Sequence, residues 1–255
     1  MKNLKSIVLA CAIIFGTVLI TNAQDESAYA AWETIMLTPD NTKLKVLGEN
    51  MRTHNMTYHK EGPHKAAVWQ ISTGPNAGKL IWQMGPLNYS HLDSRPAEGG
   101  HDEDWRDNVM PYVKKMGTIE YWKADNELNN TAMLDPNTVT HPILYIRFYN
   151  VNPGQGFSIN TFFSRVLATV KSLEGDNPWG LYDNEFRQGL DIGRHIAEVS
   201  FYKNWTEFDK EIKWIEAFNK VNGANSWQNQ VNMGNATFSN SWDEIWTYDK
   251  SMSGQ

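Results

Sequence analysis

The sequence predicts an α+β protein built from two tandem βαββαβ units with antiparallel sheets. A short pattern, Asn-aromatic-Ser/Thr-x-Leu/Phe-Asp, occurs at residues 88–93 and again at 204–209. Each copy follows an apolar run typical of a strand and precedes a run with helical spacing of apolar residues. The same order of strand-like and helix-like runs occurs on both sides of a polar stretch at residues 127–141. A duplicated unit explains all three observations.

In the first half, the predicted order is strand, helix, two strands, helix and strand. Pro39 ends the first strand, and a Gly- and Asn-containing turn at residues 74–78 separates the two central strands. Pro111 lies inside the predicted second helix, where its missing N–H is unfavourable. The predicted strands are residues 29–38, 65–72, 79–84 and 118–125, and the predicted helices begin at residue 41 and span 104–116.

The second half repeats this order. Pro153 corresponds to Pro39, Asn204 to Asn88, and Trp246 to Trp122, and the sequence offset grows towards the C-terminus, as an insertion in a duplicated unit would produce. The predicted strands are residues 143–150, a segment within 180–187, 195–201 and 243–249, and the predicted helices are 158–173 and 206–221. Residues 222–241 form a polar insertion.

Residues 1–23 have the pattern of a secretory signal peptide. Lys2 and Lys5 precede an apolar run, and Ala23 is a small residue suited to cleavage. The run is shorter than the ~20 residues that span a bilayer. We therefore predict an exported bacterial protein, periplasmic or secreted. The predicted domains are a signal peptide (1–23), a first repeat (28–126), a linker (127–141) and a second repeat (142–250).

Composition narrows the possible partners. Cys11, the single cysteine, lies in the signal segment, so the exported chain has no disulfide and no Cys-ligated metal. The formal net charge of −6 argues against nucleic acid or an anionic membrane surface as the partner. Eleven Trp, ten Tyr and ten Phe favour a pocket for a flat small-molecule ligand as well as an aromatic core.

The βαββαβ order is the ferredoxin-like pattern, and two such units in one chain resemble the fused form of the dimeric α+β barrel. The resemblance covers most of residues 28–250 and rests on element order and the repeated helix start. The group includes antibiotic-biosynthesis monooxygenases, NIPSNAP-type proteins and stress-responsive barrel proteins. It implies a pseudo-dimeric barrel, either a monomer with two equivalent halves or a homodimer. Because members of the group differ in chemistry, the cofactor stays unknown at this point.

Candidate site residues follow from strand alternation, which separates the face under the helices from the face that lines the barrel. We assign the polar and aromatic positions to the barrel. The apolar positions expected under the helices are Ile146, Phe148, Ala197, Val199, Phe201 and Ile245. The candidate catalytic residues are Glu198 and Glu244, as general bases if burial raises their pKa. The candidate ligand-binding residues are Glu33, Trp82, Glu120, Trp122, Arg147 and Trp246.

An alternative for the same residues is a structural layer of ion pairs in a filled barrel, with Glu33 and Arg147 paired across the halves. The histidines give little support for a metal site. His54, His59 and His64 are five residues apart, which does not place them on one helical face. His91, His101 and the acidic residues around them lack any recognised ligand spacing. The sequence therefore predicts no metal site.

Two functions fit these observations. The first is an exported small-molecule-binding barrel, including a cofactor-independent oxygenase acting on an aromatic or otherwise flat ligand. The second is a non-catalytic envelope protein for binding or assembly. An open cavity beside the Glu and Trp residues favours the first function, whereas a barrel filled by those side chains favours the second.

Overall fold

The computed structural model describes residues 29–135 and 138–254, so the predicted signal peptide lies outside the described residues. Both halves of the described chain begin with a strand and a fifteen-residue helix. The first half comprises β1 (Ala31–Pro39), α1 (Leu44–Tyr58), β2 (Ala66–Ile71), β3 (Leu80–Leu87), α2 (Tyr89–Leu92), α3 (His101–Asp104) and β4 (Val113–Asn130). The second comprises β5 (Ile143–Val151), α4 (Ser158–Ser172), β6 (Trp179–Asn184), β7 (Ile196–Tyr202), α5 (Trp214–Asn222), α6 (Ser226–Thr237) and β8 (Phe238–Tyr248).

The eight strands form one closed barrel in the order β1-β3-β2-β8-β5-β7-β6-β4, and every neighbouring pair is antiparallel. The first half contributes β4-β1-β3-β2 and the second β8-β5-β7-β6. The halves join where β2 pairs with β8 and β4 pairs with β6. In the described part of the chain, closure gives each strand a hydrogen-bonded neighbour on both sides. The predicted α+β class and the predicted barrel are confirmed.

Apolar side chains form three cores. One lines the inside of the barrel and includes Trp69, Ile81, Phe148 and Val199. The second lies between α1 and the outer face of β1, β2 and β3. The third lies between α4 and the outer face of the second half. Among the described residues, no helix combines the length and apolar character needed to cross a membrane.

Two predicted helices differ from the observed ones. The helix expected at residues 206–221 begins as a 3-10 turn (Trp205–Asp209), and α5 starts only at Trp214. The helix expected at residues 104–116 is broken, because α3 ends at Asp104 and a π-helical turn (Trp105–Val109) and a 3-10 turn (Met110–Tyr112) follow. Pro111 lies in the 3-10 turn, where its missing N–H is tolerated. The polar insertion at residues 222–241 contains α6, whose Trp227 ring packs 5.3 Å from that of Phe218.

Candidate functional site

The barrel contains a partly open cavity of about 390 Å³ to which all eight strands contribute side chains. This volume lies in the range of about 300–1,000 Å³ that is usual for small-molecule sites. Aromatic rings form much of the wall: Trp32, Trp69, Trp122, Phe148, Tyr182, Phe201 and Trp246. Two of the three predicted Trp residues, Trp122 and Trp246, therefore line an open space and do not fill the barrel.

Polar groups of the cavity are concentrated at the end where the chain passes from β4 to β5. This connecting segment contributes Thr131, Thr138 and His141 to the cavity wall, and Lys65 lies nearby. Burial, followed by the positive charge of Lys203, lowers the pKa of His141, so its ring is neutral at physiological pH. A ligand in the cavity would thus meet hydrogen-bonding groups at one end and aromatic rings elsewhere.

A buried charged group, here called the floor cluster, consists of Arg194, Glu120 and Glu244. Their side chains are 4 %, 1 % and 0 % exposed. The Arg194 Nε donates to Glu120 Oε1 at 2.8 Å, and its Nη1 lies 3.7 Å from Glu244 Oε1. Trp122 Nε1 donates to Glu120 at 3.0 Å and Trp246 Nε1 donates to Glu244 at 2.8 Å. The floor cluster thereby fixes the orientation of two indole rings that line the cavity.

The backbone of Arg194 has a left-handed conformation that places its side chain in the barrel. Its φ is +57°, and the preceding Gly193 has φ +65°. The Arg194 N–H donates to Asn150 Oδ1 at 3.0 Å. A Cβ at Gly193 would lie 1.8 Å from that same oxygen, so only glycine fits here. The loop before β7 therefore depends on Gly193.

The structure divides the eight predicted site residues between the two faces of the sheet. Glu120, Trp122, Glu244 and Trp246 point into the barrel, as predicted. Glu33, Trp82, Arg147 and Glu198 lie on the opposite face of their strands. Their proposed roles in binding or catalysis stay predictions, but these four residues are not brought to the cavity.

Five apolar residues predicted under the helices lie instead in the barrel: Ile146, Phe148, Ala197, Val199 and Phe201. Cross-strand register shows this directly, because Ile146 is opposite Glu244 and directly paired residues share a face. We assumed that the helix-covered face is the more apolar one. The closed interior is in fact the drier face, whereas the outer face near Arg147 is open to water, its side chain being 40 % exposed.

The predicted ion pair between Glu33 and Arg147 is not formed, so this prediction is wrong. Arg95 Nη2 lies 2.7 Å from Glu33 Oε2, and Arg147 Nε lies 2.7 Å from Asp243 Oδ1. Glu33 and Arg147 each pair with a residue of their own half, because β1 and β5 are not neighbours in the barrel.

The other two residues on the outer face also have partners there. Glu198 accepts hydrogen bonds from Tyr149 Oη at 2.6 Å and from Trp179 Nε1 at 3.0 Å. Trp82 Nε1 donates to Asn55 Oδ1 at 2.9 Å within the core under α1. These contacts hold both side chains on the outer face of the sheet.

Arg194 is the main residue of the interior that sequence analysis missed. It lies in a loop between β6 and β7 with no periodic pattern, and only the preceding glycine hints at an unusual backbone there. Asn76 and Trp242 were also missed, although they donate to Glu244 at 2.7 and 3.2 Å.

Contrary to the sequence prediction, three histidines come together outside the barrel. The ligand atoms of His54, His59 and His101 all lie within 4.8 Å of one another. His54 and His59 can approach each other although they are five residues apart, because α1 ends at Tyr58. His59 is already outside the helix, with φ −130° and ψ 33°. Burial lowers the pKa of His59 to about 3. These three side chains could hold a metal ion.

The closed α+β barrel with an aromatic cavity defines the structural class of this chain. No protein-family model matches the sequence, and no curated protein matches it in sequence. Among solved structures, a protein from Lactobacillus acidophilus that is provisionally assigned as a monooxygenase has a TM-score of 0.52 and 10% identity, covering 87% of this chain and 95% of that chain. An anthrone oxidase-like protein has a TM-score of 0.54 and 13% identity, covering 88% and 92%.

A variant chlorite dismutase from Candidatus Nitrospira defluvii is similar too, with a TM-score of 0.53 and 6% identity, covering 87% of this chain and 92% of that chain. At these identities the likeness concerns the fold alone. The chain thus shares the α+β barrel fold of monooxygenase-like and chlorite dismutase-like proteins.

Proposed function

We propose that the chain is an exported protein that binds a small, flat, largely apolar ligand inside its barrel. The observation that carries this proposal is the aromatic cavity of about 390 Å³. Indole and phenyl rings offer flat apolar surfaces that suit a planar ligand. The space between them supports ligand binding over a filled, purely structural barrel.

The floor cluster supports the same proposal through the stiffness of the cavity wall. Glu120 and Glu244 are hydrogen-bonded to Trp122 and Trp246, and Arg194 lies 3.9 Å from the Phe148 ring centroid. A wall held in this way loses little conformational freedom when a ligand enters. The polar end near Thr138 and His141 favours a ligand with one hydrogen-bonding substituent.

The two halves are, in this proposal, tandem ferredoxin-like units that form a pseudo-dimer. Their equivalent strand orders and their matching first helices, α1 and α4, support a duplication. The predicted domain limits and the export signal are part of the proposal.

Binding is tested by titrating the chain from residue 24 onwards with planar aromatic probes such as naphthoic acid and anthrone. Four Trp rings line the cavity, so bound probe should quench tryptophan fluorescence. Ala67→Phe adds a ring to the cavity wall and should weaken binding at least tenfold. Ala236→Phe adds the same ring at an exposed position of α6 and should leave binding unchanged. Equal binding by both variants would place the ligand elsewhere.

Oxygenation of the bound ligand is the second candidate function. Its support is that solved chains with this fold carry monooxygenase and anthrone oxidase names. Oxygen uptake that depends on the probe, without added cofactor, is the expected result. Recovery of unchanged probe from a binding-competent protein would instead support the non-catalytic envelope protein.

A further inference from the structure

The histidine cluster, formed by His54, His59 and His101, lies on the helix-covered side of the first half. His59 Nε2 and His101 Nε2 are 3.0 Å apart. His54 Nε2 is buried and has no hydrogen-bond partner among the described residues. The three residues are 1 %, 1 % and 9 % exposed, so their rings are shielded from bulk solvent.

The hydrogen bonds on the opposite side of each ring determine where the protons are. His54 Nδ1 lies 2.8 Å from Asp104 Oδ2, and His101 Nδ1 lies 2.7 Å from Asp102 Oδ1. His59 Nδ1 lies 2.8 Å from the carbonyl oxygen of His64. Carboxylates and carbonyls only accept hydrogen bonds, so each Nδ1 must carry a proton. Each neutral ring then has a lone pair on Nε2.

One ring nitrogen of each histidine lies within 4.8 Å of the other two, and the Nε2 atoms carry the lone pairs that are free to bind an ion. Two nitrogen lone pairs at 3.0 Å repel each other unless a positive group lies between them. A proton shared by His59 and His101 would satisfy those two atoms but would leave the buried His54 Nε2 without a partner. A single metal cation satisfies all three nitrogens together.

We propose that the histidine cluster is a binding site for one divalent transition-metal ion of the zinc class. Three neutral imidazoles are suitable ligands for zinc and its neighbours, whereas Mg²⁺ and Ca²⁺ prefer oxygen ligands. Zn–N bonds of about 2.0–2.1 Å in a tetrahedron place ligand nitrogens about 3.3 Å apart. The observed separations, from 3.0 Å to at most 4.8 Å, require only small ring movements to reach this geometry.

The groups around the cluster are those that metal-binding histidines normally have. Such histidines usually donate their second N–H to a carboxylate or carbonyl group, which fixes the ring orientation. Asp104, Asp102 and the His64 carbonyl occupy these three positions. Asp104 is itself held by Asn108 Nδ2 at 2.7 Å. The histidine cluster thus has both the ligands and their supports.

Aromatic rings enclose the cluster and limit the approach of water. Trp105 lies 5.1 Å from the His54 ring, Trp82 lies 5.0 Å from the His59 ring, and Tyr58 lies 5.2 Å from the His101 ring. Three protein ligands leave one position of a tetrahedral ion for water or a small ligand, which is the arrangement of reactive zinc sites. The site is independent of the barrel cavity and of the ligand proposed there.

The test uses the chain from residue 24 onwards, stripped of metal with a chelator and then titrated with Zn²⁺ and Co²⁺. One ion per chain should bind with micromolar or tighter affinity, measured against a chromophoric competitor. Bound Co²⁺ should give the intense visible absorption of tetrahedral coordination. Failure of the unmodified chain to bind either ion stoichiometrically would overturn the proposal without reference to any variant.

Variants then locate the ion. His54→Ala and His101→Ala should each weaken Zn²⁺ binding at least 100-fold, and Asp104→Asn should weaken it about 10- to 100-fold through loss of ring orientation. His64→Gln is the control, because the His64 ring contacts the His91 carbonyl and its backbone oxygen is retained. Circular dichroism identifies folded variants. Equal affinity of folded His54→Ala and the unmodified chain would overturn the site.

Discussion

At the residue scale, burial distinguishes two ion pairs with nearly the same geometry. Arg194 and Glu120 lie 2.8 Å apart with side chains 4 % and 1 % exposed, and Arg147 and Asp243 lie 2.7 Å apart with side chains 40 % and 43 % exposed. Removing one partner of a buried pair leaves a charge that neither water nor protein compensates. The exposed pair has water as a substitute.

We therefore expect Glu120→Gln to lower the free energy of unfolding by about 3 kcal/mol. Asp243→Asn, the matched change in the exposed pair, should cost at most about 1 kcal/mol. Urea denaturation followed by circular dichroism measures both. Equal losses would mean that water reaches the floor cluster and that its ion pairs do not hold the cavity wall rigid.

His59 gives a pH prediction for the metal-free chain. Burial lowers its folded-state pKa to about 3. The hydrogen bond to the His64 carbonyl acts in the opposite direction but is the smaller effect. The unfolded chain therefore binds the extra proton between about pH 3 and 6.5, and stability falls as pH falls through this window. His59→Gln should flatten the slope by up to about 1.4 kcal/mol per pH unit. An unchanged slope in urea titrations from pH 4 to 7 would contradict this.

At the element scale, the sequence predicted the strands more reliably than the faces they present. Strand alternation within β5 and within β8 was correct, but the register between the two strands was not available from one sequence. That register places Ile146 opposite Glu244. The side chains of β5 that were predicted to lie under the helices therefore point into the barrel. The same limit applies to Glu33 and Trp82 on β1 and β3. The hydrophobic pattern alone could not say which face is closed to water.

The loop before β7 offers an element-scale test with a close control. Gly193 and Gly189 both have positive φ, at +65° and +84°, but only Gly193 has a neighbour within contact distance of an added Cβ. Gly189→Ala should cost about 1 kcal/mol from backbone strain. Gly193→Ala should cost about 2 kcal/mol more, because overlap with Asn150 adds to the strain. Similar losses in chemical denaturation would show that the loop shifts freely.

At the scale of the whole molecule, barrel closure joins the two halves through β2–β8 and β4–β6 pairing. Neither half can then keep its seam strands paired if the other unfolds. We expect a single unfolding transition, with coincident curves from tryptophan fluorescence and far-UV circular dichroism. Two separated transitions would indicate that the halves are independently stable domains.

The barrel could be predicted from the sequence, but most residues of the cavity and of the histidine cluster could not. Repeated landmarks such as Asn88 and Asn204 gave the element order, and repeated Glu-x-Trp at residues 120–122 and 244–246 identified the four predicted site residues that point into the barrel. Arg194 could not be predicted as an interior residue, because it lies in a loop and loops have no hydrophobic periodicity. The histidine cluster could not be predicted, because the spacing of residues 54, 59 and 101 in the sequence matches no recognised ligand pattern. These residues come together where α1 ends and where the chain brings α3 next to it.

The most direct test of the central claim is a crystal structure of the chain from residue 24 onwards, grown with a planar aromatic probe such as naphthoic acid. We predict ordered density for the probe inside the barrel, between the rings of Trp122 and Trp246, with its carboxylate towards Thr138 and His141. Density for the probe only on the outer surface, with the cavity unchanged at saturating probe, would contradict the proposed function.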